Sequence, residues 1–155
     1  MYLIKEFDRL KNDEAVNAGL RFEARREIAK ANYPFQKIAI DKQLLKAGKR
    51  IGKKNKVLKY ANEADLLNVL LFGCTASEWK LKNPKKKGNI RDHATIEELM
   101  ILANIQYLNS KLIEWGSDQE QRAELLKAAI LEQMEVYKKS KAVQRIKEQD
   151  QKKLR

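Results

Sequence analysis

Three times in this chain a hydroxyl residue stands three positions ahead of a glutamate: Thr75-Ala-Ser-Glu78, Thr95-Ile-Glu-Glu98 and Ser117-Asp-Gln-Glu120. That spacing is a helix-starting device. The hydroxyl accepts from the third helical N–H, and the glutamate returns a bond to the N–H of the cap residue. Each instance follows a break in the chain, at Gly73, in the Pro84 to Gly88 stretch and at Gly116. Apolar residues then recur at helical spacing. Ala64, Leu66, Leu67, Leu70 and Leu71 run up to Gly73, and Ile96, Leu99, Met100, Ala103, Tyr107, Leu108 and Leu112 run up to Gly116. Leu126, Ile130, Met134 and Tyr137 line the last segment, past which the pattern thins to Val143 and Ile146.

Upstream, Leu3, Phe7 and Leu10 share a helical face. Pro34 suits a first helical turn, and Ile38, Ile40, Leu44 and Leu45 carry that helix to Gly48. Six glycines and two prolines among 155 residues are too few for the regular turns of a β-rich chain. The spacing predicts an all-α fold, a single compact domain of about six helices. Its core is expected from Asn62 to Phe72, Thr95 to Trp115 and Ser117 to Tyr137. The domain spans residues 1–137, with a subdivision into 1–48 and 58–137 available at the Gly48 to Val57 loop. Residues 138–155 form a basic tail that is helical or frayed.

The positive charge is segregated. Lys46 to Lys59 holds seven cations and no acid, and Lys80 to Arg91 holds six and no acid. Lys138 to Arg155 holds eight against Glu148 and Asp150. Those segments carry a combined +19 while the whole chain carries +12, so the remainder is acidic at −7. Crowded cations without acids repel one another, and a polyanion relieves that cost by releasing its counterions. Lys49, Arg50, Lys53, Lys54, Lys56, Lys85, Lys86, Lys87 and Arg91, read as two lysine-rich loops, are therefore the expected contacts to phosphates, gripping the backbone without reading sequence. Trp79 and Tyr60 flank these stretches and either could stack on a base, although packing inside is the commoner role for such residues.

A further set of residues resembles a family. Tyr60-Ala-Asn-Glu-Ala-Asp-Leu-Leu-Asn68, Leu71-Phe-Gly73, Thr75-Ala76, Trp79, Asn83-Pro84 and Lys87-Gly-Asn-Ile-Arg-Asp92 look like the C-terminal region of bacterial and phage proteins with a KilA-N domain. Glu98-Leu99, Leu102-Ala-Asn104, Leu108-Asn109, Tyr2 to Phe7 and Arg25 to Tyr33 fit the same pattern, which runs from about residue 2 to about 137. The resemblance implies a phage or mobile-element origin. The family's N-terminal KilA-N module has no counterpart in these residues, so its DNA-binding activity is not carried over.

Nothing in the pattern points to catalysis, a cofactor or a metal. His93 is the single histidine and Cys74 the single cysteine, with no ligand cluster around either. Cys74 is expected to be a buried, inert thiol. Glu63 and Asp65, two residues apart, cannot share a helical face. Arg91 has two readings: a clamp on a phosphate or carboxylate beside the Thr95 helix start, or a member with Asn89 and Asp92 of a loop-fixing set, paired to Asp92, Glu63 or Asp65. The first residues lack a signal-peptide core, and apolar runs such as Val69 to Phe72 are far short of a membrane span, so a cytoplasmic protein is expected. Two functions compete. One is a non-catalytic nucleic-acid-binding accessory module for DNA or RNA. The other is a protein-interaction module: a homodimer, or a stand-alone phage product that binds a host protein or ribonucleoprotein, as an inhibitor of a defence complex or an antirepressor.

Overall fold

Thr75 and Thr95 start helices as their spacing requires, in a computed structural model that describes residues 3–9, 27, 28, 30–46 and 53–154. Side chains in the last stretch are described from Lys59 to Lys152. The Thr75 hydroxyl accepts from the Glu78 N–H at 3.1 Å, and the Glu78 carboxylate accepts from the Thr75 N–H at 3.3 Å. Thr95 and Glu98 repeat the exchange at 3.2 and 2.9 Å.

The third start lies one residue later than expected. Asp118, not Ser117, caps the helix, and its partner is Gln121, with bonds of 2.9 and 3.3 Å. Ser117 belongs to the preceding C-terminus: its N–H reaches back to the Leu112 carbonyl at 3.0 Å, and Gly116 takes φ +83° to close that turn. With its N–H spent there, Ser117 has no donor left for the return bond from Glu120 that a capping box needs.

The described residues are all helical or in turns, with no strand. Residues 3–9 are helical, and six α-helices follow: α1 Tyr33–Lys46, α2 Lys53–Phe72, α3 Ala76–Lys82, α4 Ile96–Glu114, α5 Gln119–Lys139 and α6 Lys141–Leu154. A 3₁₀ turn, Ile90–His93, precedes α4. Helix α4 is the axis of the fold, packing against α1, α2, α5 and α6. Leu67, Leu99, Ile101, Leu102, Ile105, Leu112, Leu126 and Ile130 form the main core, with Leu70, Leu71, Phe72, Leu108, Met134 and Tyr137 around it. Ala39, Ile40 and Leu44 of α1 close on Ile113 in a second cluster. Helix α1 lies along α4 and packs in the same body as the later helices.

Being covered on several sides, α4 buries more than one stripe. Ile101, Leu102, Ile105 and Ile113 are fully buried although the single-face pattern omits them, while Tyr107, which the pattern includes, stays half-exposed. Asn109 is also buried there and completes a closed polar ring. Glu63 of α2 accepts from Arg122 Nη2 of α5 and, at 3.0 Å, from Asn109 Nδ2. Arg122 Nε donates to Asn109 Oδ1 at 3.0 Å and Nη1 to the Ser117 carbonyl at 2.7 Å. The three residues tie α2, α4 and α5 together in the interior.

Past Tyr137 the tail is helical as far as Leu154. Ser140 interrupts the helix, and α6 turns back to pack on α4 and α5, burying Val143. Lys147 Nζ donates to Glu97 Oε1 at 2.6 Å and Gln144 Nε2 to Glu97 Oε2 at 3.2 Å, so one carboxylate in the first turn of α4 latches α6. The hydrogen bond from Lys147 holds the Glu97 carboxyl below its ordinary pKa, with Gln144 adding to the effect against the opposing influence of burial. A depressed carboxylate stabilises above its unfolded pKa, about 4.3, and loses that contribution as pH falls through the lower folded value. Amide protection in α6, corrected for intrinsic exchange, is accordingly expected to hold above the unfolded pKa of about 4.3 and to drop as pH falls below it. Glu97→Gln removes that pH step. No helix among the described residues is long and apolar enough to cross a membrane.

Candidate functional site

The first cationic run is not a loop beyond Gly52. Helix α2 begins at Lys53, nine residues before the expected start at Asn62, because lysine is a good helix former whatever its charge. Lys53, Lys54 and Lys56 therefore stand in the first turns of a helix that has no acid there. That is an electrostatically poor place for cations, since the free N–H groups already give a helix N-terminus partial positive charge. Lys49 and Arg50 lie outside the described residues.

Around the same end of the molecule the fold gathers further groups. Lys42, Gln43 and Lys46 from the last turns of α1 meet Glu114, Trp115 and Gly116 at the end of α4, around an open hollow of about 610 Å³. Lys42 and Lys46 are four residues apart and so share a face of α1. Gln43 also borders an adjacent hollow of about 220 Å³ with Lys59, Gln119 and Arg122. Lys59 thus belongs to this end, and Lys53 stands about 9 Å further along the α2 axis. Glu114, the one acid among the described residues of the larger hollow, is held by Lys42 at 3.5 Å and Lys111 at 3.4 Å. These two lysines keep its carboxyl below the ordinary pKa against the raising effect of desolvation, which is the largest single influence. Trp115 is 73% exposed, an unusual state for the largest apolar side chain.

The second cationic run behaves differently. Lys85, Lys86 and Lys87 do occupy an exposed turn. Its backbone is pinned by Lys80, which donates to the Lys86 carbonyl, and by His93 Nε2, which donates to the Lys87 carbonyl at 2.7 Å. Gly88, at φ +80°, is required there: a Cβ would lie 2.5 Å from the Asp92 carboxylate. Asn89 caps the 3₁₀ turn and Asp92 returns the bond at 2.9 Å, so the Gly-Asn-Ile-Arg-Asp stretch is a fourth capping box, one without a hydroxyl.

Arg91 does not stand with these lysines. Its Nε donates to Asn68 Oδ1 on α2 at 3.1 Å, a partner other than the three acids expected, and burial lowers its pKa, with Tyr33 and Asp65 opposing. It borders a cavity of about 410 Å³ with Lys30, Asp65, Asn68, Asn89 and Asp92. Among the described residues that line it, two cations stand with two carboxylates, and Arg91 anchors the turn to α2. Lys53 and Asn68 are fifteen residues apart on α2, about 22 Å along its axis. The described parts of the two cationic runs are therefore anchored towards opposite ends of one helix.

Trp79 and Tyr60 are half-buried and engaged. The Trp79 ring lies 5.1 Å from that of His93, and the Tyr60 hydroxyl donates to Asp41, which pushes its pKa up to about 12. Cys74 is half-buried rather than buried. It shares a cavity of about 240 Å³ with His93, but no hydrogen bond joins the two. Sequence reasoning missed Trp115 and Lys42. The available signal was position: Trp115 directly precedes the glycine that ends α4, where a helix corner turns its last side chain outward. No protein-family model, curated protein or solved structure matches the chain.

Proposed function

We propose that this chain is a non-catalytic nucleic-acid-binding accessory module that grips phosphate backbones, acting in the cytoplasm. The observation that carries this reading is the acid-free run from Lys46 to Lys59, which begins at the end of α1 and continues through the cation-bearing first turns of α2. A phosphate chain along that end supplies the negative charge that the helix N-terminus and its lysines both lack. The exposed Lys85 to Lys87 turn, about 20 Å away along α2, offers a second point of contact. The resemblance to the C-terminal region of KilA-N proteins favours a phage or mobile-element setting for such an accessory role.

Binding of a fluorescent duplex to the full chain is expected to weaken tens of fold between about 50 and 200 mM salt, with a log–log slope of about −3 or steeper. Lys53→Glu/Lys54→Glu should weaken it further, and Lys85→Glu/Lys86→Glu less so. Affinity that ignores ionic strength disposes of this reading.

A second reading, a protein-interaction module, rests on a different observation: α5 leaves Leu125, Leu131 and Val136 half or more exposed. Light scattering before and after nuclease treatment separates the two. A stoichiometric complex or homodimer that survives nuclease supports the second.

A further inference from the structure

The structure points to Trp115 as a stacking platform for an unpaired base, and we infer that the ligand of this end is a single-stranded polynucleotide. The inference rests on the nucleic-acid reading above and goes on to name the strand form.

The indole is held on a rigid corner and left open. The backbone beneath it is fixed by three bonds: Trp115 N–H to the Lys111 carbonyl at 2.9 Å, Gly116 N–H to Ile113 at 3.1 Å and Ser117 N–H to Leu112 at 3.0 Å. The Ser117 carbonyl is in turn held by the buried Arg122. Among the described residues, no aromatic ring or cation stacks on Trp115, although Phe35 with Tyr107 and Trp79 with His93 form such pairs elsewhere. A side chain of this size 73% in solvent forgoes a large apolar gain, which a base laid on its face recovers.

The surroundings match a strand rather than a duplex. Lys42 and Lys46 flank the hollow at one helical turn's spacing, suited to phosphates on either side of a stacked base, and Gln43 offers an amide to a base edge. A base in a duplex is already stacked above and below and cannot present its face without being flipped out. The carboxylate of Glu114 in the hollow is offset by Lys42 and Lys111.

The test titrates the full chain with oligo-dT and oligo-U of fifteen nucleotides and with a fifteen-base-pair duplex, reading both anisotropy and tryptophan fluorescence. Quenching by the single strands, and not by the duplex, is expected. Trp115→Ala should weaken single-strand binding about tenfold or more, Trp115→Phe should recover part of that, and duplex affinity should stay within about twofold. The difference between the dT and U arms assigns DNA or RNA. If Trp115→Ala leaves single-strand affinity unchanged, or no quenching occurs, the stacking role is overturned while backbone binding stands. Failure of the wild-type chain to bind any of the three probes overturns the underlying reading as well. A concentration-dependent dimer that Trp115→Ala dissolves assigns the face to a second copy of the chain and likewise overturns the inference.

Discussion

Arg122→Ala is expected to destabilise the protein by about 3–5 kcal/mol, the cost of stranding a buried carboxylate. Glu63 is 6% exposed and spends both oxygens inside the ring, one on Arg122 and one on Asn109. With the guanidinium gone, Glu63 keeps only the Asn109 amide, Asn109 Oδ1 loses its donor, and so does the Ser117 carbonyl at the start of α5. A thermal melt followed by far-UV circular dichroism should move down by about 6–20 °C for a chain of this length. Replacing the whole ring with apolar residues of similar volume (Glu63→Leu, Asn109→Leu, Arg122→Met) is expected to recover most of the loss, since no buried charge is then left alone. A loss of under about 1 kcal/mol for Arg122→Ala would place the pair in solvent and refute its structural role.

Leu102→Ala is expected to cost about 3–4 kcal/mol, in the upper part of the range for a buried leucine. Leu102 is fully buried, and its neighbours in the core come from helices packed on several sides of α4, so the cavity left behind has little room to collapse. Urea unfolding should show a lower midpoint with an unchanged slope. Leu131→Ala offers the contrast. That residue is 64% exposed on α5, and its removal should register within about 0.5 kcal/mol. The two leucines are chemically identical, and only their positions in the packed structure separate them.

Much of the fold is legible before any coordinates. The starts at Thr75 and Thr95, the stop at Gly116 and the apolar series from Leu126 to Tyr137 all recur in the structure. The errors have physical causes. The start at Ser117 slipped by one because the terminating turn of α4 had claimed its N–H. The N-terminus of α2 is helical where its charge density suggests a loop, because lysine's helix propensity does not depend on the charge around it. The core of α4 was underestimated because a single-stripe pattern presumes one covered face, and this helix is covered on several. Asn89 and Asp92 fix their loop as a capping pair that a hydroxyl-based pattern does not contain, since asparagine and aspartate cap as well as serine.

The candidate site was legible only in part. The acid-free runs were visible as charge, but not their anchoring at opposite ends of α2, nor the withdrawal of Arg91 to Asn68. Trp115 and Lys42 are 73 residues apart in sequence and meet only because α1 lies along α4.

Where helices begin and end is written within three or four neighbouring residues, because caps and terminating glycines act through bonds that short. The chain alone therefore determined its helical class, most of its helix boundaries and the crowding of its cations. Which face of each helix is covered, which arginine closes on Glu63, and which tryptophan is left in water depend on helices distant in sequence coming to lie together. Those were decided only when α1, α2, α5 and α6 packed around α4.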